Sequence, residues 1–104
     1  MKHTIISASV GLLFASGAAL AADAEQLLKD KACLTCHQPD KKVVGPAYKD
    51  VAAKYKSRKD AEAYLVSKIK GGSTGVWGPI PMPPNGTVSD EEAKTLAKFI
   101  LTLK

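Results

Sequence analysis

Cys33, Cys36 and His37 are the residues whose types and spacing point most clearly to chemistry. They form the pentapeptide Cys-Leu-Thr-Cys-His at residues 33–37. On a helical turn, residues three apart face the same side, so both thiols can reach the two vinyl groups of one porphyrin while the adjacent imidazole lies beneath the iron. This pattern is typical of covalent haem c attachment. We therefore predict two thioethers to one haem per chain, with His37 as the proximal iron ligand.

The motif has three other possible interpretations. A thioredoxin-like redox pair is expected after a strand in a βαβ unit, whereas the surrounding pattern is helical. A tetrahedral zinc site needs four ligands, but residues 22–104 hold only two Cys and one His outside the carboxylates. A structural disulfide leaves the histidine without a role. Covalent haem attachment is the interpretation that uses all three residues.

Met82 is the only methionine after residue 21, just as His37 is the only histidine there. A single methionine is ordinarily core filler. This one, however, lies within Pro-Ile-Pro-Met-Pro-Pro-Asn at residues 79–85, a stiff loop that can hold a sulfur near an iron without reorganising. We predict that Met82 is the second axial ligand, and a His/Met pair raises the haem potential relative to two nitrogen ligands.

The first 21 residues have the pattern of a secretory signal peptide. Met-Lys-His precedes an apolar run from Ile5 to about Leu20, and Ala-Leu-Ala at residues 19–21 supplies a cleavage site. An uncleaved membrane anchor is the alternative, but the run is shorter than the roughly 20 apolar residues of a spanning helix. Cleavage leaves a periplasmic domain of residues 22–104, which has 83 residues and a net charge of +4.

The mature domain is poor in large apolar side chains. Its five aromatic residues are Tyr48, Tyr55, Tyr64, Trp77 and Phe99. Burial is already marginal in a domain of this size, and two cysteines cannot provide the several disulfides that many small exported proteins use. A bound group is therefore expected to complete the core. Length and a net charge of +5 for the full chain exclude a multidomain enzyme and a disordered chain.

The remaining pattern predicts an all-α domain of about four helices. The first runs from an Asp23 N-cap to the cysteines, the second starts at Gly45-Pro46, the third lies between Asp60 and Gly71-Gly72, and the fourth starts at a Ser89 capping box. Residues 73–88 are predicted to be a loop because they contain four prolines. The residues expected to face the core from the last three helices are Ala47, Tyr48, Val51, Ala52, Tyr55, Ala61, Tyr64, Leu65, Ile69, Ala93, Leu96, Ala97, Ile100 and Leu103.

Two further segments carry a family resemblance together with the Cys-Leu-Thr-Cys-His motif. They are Val-Gly-Pro-Ala-Tyr at residues 44–48 and Gly-Val-Trp-Gly-Pro-Ile-Pro-Met-Pro-Pro-Asn at residues 75–85. The sequence closely resembles the cytochrome c-551/c-552 group of short bacterial class I cytochromes c over essentially all of residues 22–104. Gly86 departs from the pattern and looks like a one-residue insertion before Val88. The resemblance implies a small class I cytochrome c fold, with the helices packed around one covalently bound haem.

The resemblance also implies roles for residues around the haem. The Pro46 carbonyl would accept a hydrogen bond from His37, which orients the imidazole and makes it a better donor to iron. Trp77 would donate its indole N–H to a haem propionate, although ordinary core packing is the alternative. Asn85 would donate to the Met82 sulfur. Lys68 lies where relatives often place a basic residue near a propionate, although a solvated lysine is the simpler expectation.

An iron with two retained axial ligands has no open position for substrate or oxygen. We therefore expect an electron carrier and not an enzyme, with a haem enzyme or ligand sensor lacking the Met82 bond as the rival. The resemblance implies electron transfer from a quinol-oxidising complex to nitrite reductase or a terminal oxidase.

The lysines are most simply a solvated surface. Their functional interpretation is a positive field that steers redox partners with acidic docking surfaces. We expect a monomer. We also expect no nucleic-acid partner, because no basic stripe interleaved with aromatic residues is present. No strongly basic amphipathic helix is present either, so no stable membrane association is expected.

Overall fold

The computed structural model describes residues 23–104, and these form four α-helices. Helix α1 comprises residues 23–30, α2 Tyr48–Tyr55, α3 Ala61–Gly71 and α4 Asp90–Leu101, with a 3-10 turn at Cys33–Thr35. Within this range there is no strand, and the only β-type pairing consists of two isolated bridges. No helix in the range is long and apolar enough to cross a membrane. The predicted all-α fold is confirmed, whereas the predicted signal peptide at residues 1–21 lies outside the described residues.

The core lies between α4 and the two preceding helices. Helix α4 packs against both α2 and α3, and Leu96 of α4 is 1% exposed. Leu28 brings α1 into the same cluster. The inward faces predicted from the sequence are buried, apart from Tyr64 and Leu103, which are half-buried. Burial of one Leu or Ile side chain contributes about 1.5–3 kcal/mol.

The predicted capping box at the start of α4 is confirmed, and both of its reciprocal hydrogen bonds are present. The Ser89 hydroxyl accepts a hydrogen bond from the Glu92 backbone N–H at 3.1 Å, and the Glu92 carboxylate accepts one from the Ser89 N–H at 2.9 Å. A cap of this kind is worth about 1 kcal/mol. The same carboxylate lies 3.7 Å from the Lys31 ammonium, which ties the end of α1 to the start of α4.

Helix α2 begins two or three residues later than predicted. Its N-cap is the extended Ala47, because the two residues before it are engaged elsewhere. The Gly45 N–H donates to the Cys36 carbonyl at 2.7 Å, and the Pro46 carbonyl lies against the His37 ring. The Gly-Pro pair therefore belongs to the histidine environment and not to the helix.

The bounds of α3 agree with the prediction, but its N-cap lacks the predicted side-chain bond, and the end of α1 differs from the prediction. Asp60 occupies the N-cap of α3, but its carboxylate accepts both hydrogen bonds from Arg58 and caps no backbone N–H. Helix α1 was expected to continue to the cysteines, yet Asp23 is already helical and the helix ends at residue 30. Ala32 then adopts a φ of 62°, in the left-handed region. This reversal separates α1 from the 3-10 turn that carries the cysteines.

The residue predicted as an insertion, Gly86, is accommodated in a turn. The Val88 N–H donates to the Asn85 carbonyl at 3.2 Å, which closes the four-residue segment 85–88. Val88 is 2% exposed, and the Lys31 ammonium donates to the Thr87 carbonyl at 3.0 Å. The extra residue therefore leaves the start of α4 intact.

Candidate functional site

A cavity of about 530 Å³ lies at the centre of the described chain, and the residues of the predicted site converge on it. Its walls come from α1 through α4, from the Cys-Leu-Thr-Cys-His segment and from the proline-rich loop. The lining is mainly apolar and includes Leu28, Val51, Tyr55, Leu65, Leu96 and Ile100. This volume lies within the ordinary range of cofactor pockets, about 300–1,000 Å³.

Cys33 and Cys36 are free thiols on the wall of this cavity. The 3-10 turn at Cys33–Thr35 positions them, and the backbone N–H groups of Cys36 and His37 both donate to the Cys33 carbonyl, at 3.2 and 3.0 Å. Burial raises the pKa of the Cys33 thiol above its ordinary value, and a hydrogen bond with Tyr48 opposes part of that rise. Two half-buried thiols on one turn can therefore bind a single flat ligand in the cavity.

His37 is held by three neighbours from the segment just after it. Its Nδ1 lies 2.8 Å from the Pro46 carbonyl oxygen, so the ring donates that hydrogen when Nδ1 carries it. The Tyr48 ring stacks on the imidazole with centroids 4.8 Å apart and planes 18° apart. A Cβ built on Gly45 would lie only 2.6 Å from His37 Cε1. With Nδ1 occupied, Nε2 is the ring nitrogen left to bind a metal.

Met82 is fixed through its backbone. It forms a pair of hydrogen bonds with Ser73, Ser73 N to Met82 O at 2.9 Å and Met82 N to Ser73 O at 2.8 Å. Gly72, with a φ of 82°, lies so close that a Cβ there would meet the Met82 carbonyl oxygen at 2.6 Å. The half-buried Met82 lines the same cavity as His37. The loop therefore holds a thioether at the cavity without needing a helix or sheet.

Trp77 lines the cavity from the loop and is 37% exposed. Its ring meets Tyr55 edge-on with centroids 6.3 Å apart, and the Lys54 ammonium lies 5.0 Å from its centroid. Lys68 also lines the cavity, with its ammonium 5.2 Å from the Tyr64 ring centroid. Both residues predicted to lie near a propionate are thus at the cavity wall, within a cluster of aromatic and cationic side chains.

The Asn85 side chain has a partner that the sequence did not indicate. Its Nδ2 donates to the Ile69 carbonyl at 3.0 Å, and its backbone N–H donates to the same oxygen at 3.1 Å. Among the described residues no hydrogen bond joins this amide to the Met82 sulfur, so the predicted Asn85 donation to that sulfur stays a prediction. The Asn85 amide anchors the end of the loop to the last turn of α3. The second hydrogen on Nδ2 is not used in the bond to Ile69.

Three positioning residues were missed in the sequence analysis. Gly45 and Gly72 were predicted to mark helix boundaries and Tyr48 to face the core, and no contact with the axial-ligand residues was predicted for any of the three. Gly45 stands directly before the proline whose carbonyl reaches the histidine, and that adjacency is the sequence signal for its role. The close approaches of Gly72 to the loop and of Tyr48 to the imidazole depend on tertiary packing and have no local signal.

The residues at this cavity fit haem c. The Cys33 and Cys36 thiols can form the two thioethers. The His37 imidazole has its Nδ1 within hydrogen-bond distance of the Pro46 carbonyl, which leaves Nε2 for the iron. The Met82 thioether lines the same cavity, and the rest of the wall is largely apolar. Together with the all-α fold, they define a small c-type cytochrome that carries one covalent haem. The chain belongs to the cytochrome c family, whose family model, described as Cytochrome c, matches residues 21–104.

Curated and solved relatives are similar over most of the chain. Cytochrome c-551 of Pseudomonas aeruginosa is 59% identical over 96 residues, covering 92% of this chain and 90% of that protein. Cytochrome c-552 of Nitrosomonas europaea is 64% identical over 83 residues, covering 80% of each. The crystal structure of wild-type Nitrosomonas europaea cytochrome c552 has a TM-score of 0.76 at 62% identity and covers 77% of this chain and 99% of that one. The chain is therefore a monohaem cytochrome c of the electron-carrier type, similar to the c-551 and c-552 proteins.

Proposed function

We propose that this cytochrome carries single electrons in the periplasm, from a quinol-oxidising complex to a terminal reductase, which is a nitrite reductase or an oxidase. Removal of residues 1–21 as a signal peptide would deliver the domain 22–104 to that compartment. The bound haem supplies one-electron chemistry by cycling between its ferric and ferrous states. The convergence of Cys33, Cys36, His37 and Met82 on one cavity carries the proposal.

Each of these side chains has one task. Cys33 and Cys36 hold the macrocycle by thioether bonds, while His37 and Met82 bind the iron. The Pro46 carbonyl orients the imidazole through Nδ1 and increases its donor strength. Trp77 donates its indole N–H to a propionate, and Asn85 uses its remaining N–H toward the Met82 sulfur while holding the loop on Ile69. Because His37 and Met82 would both bind the iron, no iron position would be open to a substrate, which favours a carrier over an enzyme.

The charge distribution supports partners with acidic docking surfaces. Residues 40–59 contain seven basic and two acidic side chains, a net charge of +5, whereas the other described residues contain seven basic and eight acidic ones, a net charge of −1. The lysines in 40–59 are exposed and form no salt bridge within the described chain. Lys31, Lys70 and Lys94, which lie outside that segment, each lie within salt-bridge distance of a carboxylate. A local concentration of positive charge steers an oppositely charged partner during encounter.

A thiol oxidoreductase without haem is the third alternative that the sequence leaves open, after the electron carrier and the haem enzyme or ligand sensor. Reactive redox thiols have a lowered pKa at a helix N-terminus or beside a cation. Here burial raises the pKa of Cys33, and the motif lies on a short 3-10 turn. That environment is unsuited to a reactive Cys33 thiolate.

The ferric absorption spectrum of the holoprotein tests the iron ligation. A low-spin haem with a weak far-red band, assigned to thioether-to-iron charge transfer, is expected. A high-spin ferric spectrum that changes within seconds of adding cyanide, or a spectrum of the reduced protein that changes on adding carbon monoxide, would instead favour the ligand-sensor or enzyme alternative. Two alkylatable thiols and no haem in the purified protein would favour the thiol oxidoreductase.

Charge reversal tests the docking interpretation. We expect Lys49→Glu with Lys56→Glu to slow electron transfer from the reduced holoprotein to a purified nitrite reductase or oxidase at low ionic strength. Lys98→Glu with Lys104→Glu makes the same change in net charge outside 40–59 and serves as the control. The difference between the two pairs should vanish near 1 M salt, where the Debye length falls to about 3 Å. Equal slowing by both pairs would contradict a local docking surface.

A further inference from the structure

The face of the His37 imidazole packs against a backbone position that has no side chain. A Cβ built on Gly45 would lie 2.6 Å from Cε1 and 3.0 Å from both ring nitrogens. A position in the ring plane beyond Cε1 would be clearly farther from the nitrogens than from the carbon. The small difference between the 2.6 Å distance to Cε1 and the 3.0 Å distances to the nitrogens therefore places the Gly45 approach over the ring face. Real Cβ atoms essentially never come this close, so any side chain at position 45 must displace the imidazole or the backbone.

The backbone at Gly45 has little freedom to move away. Its N–H donates to the Cys36 carbonyl at 2.7 Å, and its carbonyl accepts from the Val43 N–H at 3.2 Å. The next residue, Pro46, has a restricted φ, and its carbonyl is the one that bonds His37. A side chain at position 45 would consequently be accommodated by the ring.

The ring itself has few alternative positions. Tyr48, which is 4% exposed, stacks on it with planes 18° apart, and Nδ1 is bonded to Pro46 at 2.8 Å. Displacement by a methyl group would tilt the imidazole out of its stack and lengthen the Nδ1 to carbonyl bond. The Pro46 carbonyl can bond the ring only while position 45 lacks a Cβ.

We propose that Gly45 is a positioning residue for the axial histidine, and that its missing side chain is what allows His37 to be both stacked on Tyr48 and bonded to Pro46. The inference rests on the proposed role of His37 as the iron ligand. A weaker Nδ1 bond makes the imidazole a poorer donor to ferric iron. Gly45→Ala therefore raises the reduction potential as well as freeing the ring N–H.

The test compares Gly45→Ala with Gly71→Ala in the holoprotein. Gly71 is a matched control because a Cβ there meets nothing within 4 Å and its φ is not in the positive range. We expect the His37 Nδ1–H to exchange with solvent about tenfold faster in Gly45→Ala, equivalent to about 1.4 kcal/mol, with a higher potential. Gly71→Ala should leave both quantities close to wild type. A folded Gly45→Ala holoprotein with wild-type exchange and potential would overturn the proposal.

If the Gly45→Ala holoprotein does not fold, a measurement on the wild-type holoprotein tests the positioning role of Gly45. The reduced protein should show nuclear Overhauser contacts between the Gly45 α-protons and His37 Hε1, and their absence would overturn the proposal. The shifts of the His37 ring protons report separately on the ligand assignment. Strongly shifted ring protons without the Gly45 contact would refute the positioning role alone, whereas unshifted ring protons would refute His37 as the ligand.

Discussion

Gly72→Ala should destabilise the holoprotein and weaken the Met82 ligation together. Gly72 has a φ of 82° and a ψ of −178°, a conformation essentially restricted to glycine that costs other residues about 1–3 kcal/mol. A Cβ there would also meet backbone atoms of the loop: the Met82 oxygen at 2.6 Å, the Pro84 nitrogen at 3.0 Å and the Pro83 carbonyl carbon at 3.2 Å. Overpacking of this kind adds about 1–3 kcal/mol.

The expected cost is therefore about 2–6 kcal/mol, a large part of the roughly 5–15 kcal/mol by which small proteins are stable. Guanidinium unfolding of the holoprotein measures it, and the far-red ferric band follows the thioether bond in the same samples. The adjacent Gly71→Ala is the control and should change stability by about 1 kcal/mol or less. A loss below about 1 kcal/mol in Gly72→Ala, with the far-red band intact, would show that the backbone of the loop can move away from position 72.

Three other perturbations test separate parts of the site and fold. Met82→Ala should open the sixth iron position, lower the reduction potential and allow carbon monoxide to bind readily, whereas an unchanged potential would make Met82 core filler. The Cys33→Ala, Cys36→Ala double variant should yield a largely unfolded haem-free chain by far-ultraviolet circular dichroism, because the 530 Å³ cavity would lose its occupant; a native-like helical spectrum would contradict this. The hydrogen bond from the Ser89 N–H holds the pKa of Glu92 below its ordinary value of 4.5. The Glu92 carboxylate therefore stabilises the fold fully above pH 4.5, and this stabilisation is lost as the pH falls through the lowered pKa of the folded protein. Melting temperatures of Glu92→Gln, which keeps an oxygen acceptor for the cap, should therefore fall less steeply than wild type on the acid side.

Features encoded locally in the sequence were predicted correctly. The Ser-Asp-Glu-Glu capping box at residues 89–92, the apolar face of α2 and the proline-rich loop each depend on neighbouring residues and their periodicity. Two details at helix N-termini were wrong because the groups concerned have partners outside the helix. Gly45 and Pro46 leave α2 because the haem-binding motif uses their backbone groups, and Asp60 leaves its capping role because Arg58 offers two charged hydrogen bonds.

In the candidate site, too, the features encoded by a local motif could be predicted and those that depend on tertiary contacts could not. The residue types needed for haem attachment could be read from the motif, and their convergence on one cavity agrees with that prediction. The Asn85 bond to Ile69 could not be predicted, because it forms between a loop and the end of α3, sixteen residues apart. The left-handed Ala32 also had no signal, since glycine is the residue that usually marks such a position.

The most direct test of the haem site is the proton NMR spectrum of the reduced holoprotein. Residues 22–104 contain one methionine and one histidine, so the signals of the two proposed axial ligands can be assigned without ambiguity. A Met82 methyl group bound to iron lies under the macrocycle, and its three-proton singlet should be displaced far upfield by the ring current, together with shifted His37 ring protons. A Met82 methyl signal at its ordinary position in the intact holoprotein would contradict the account.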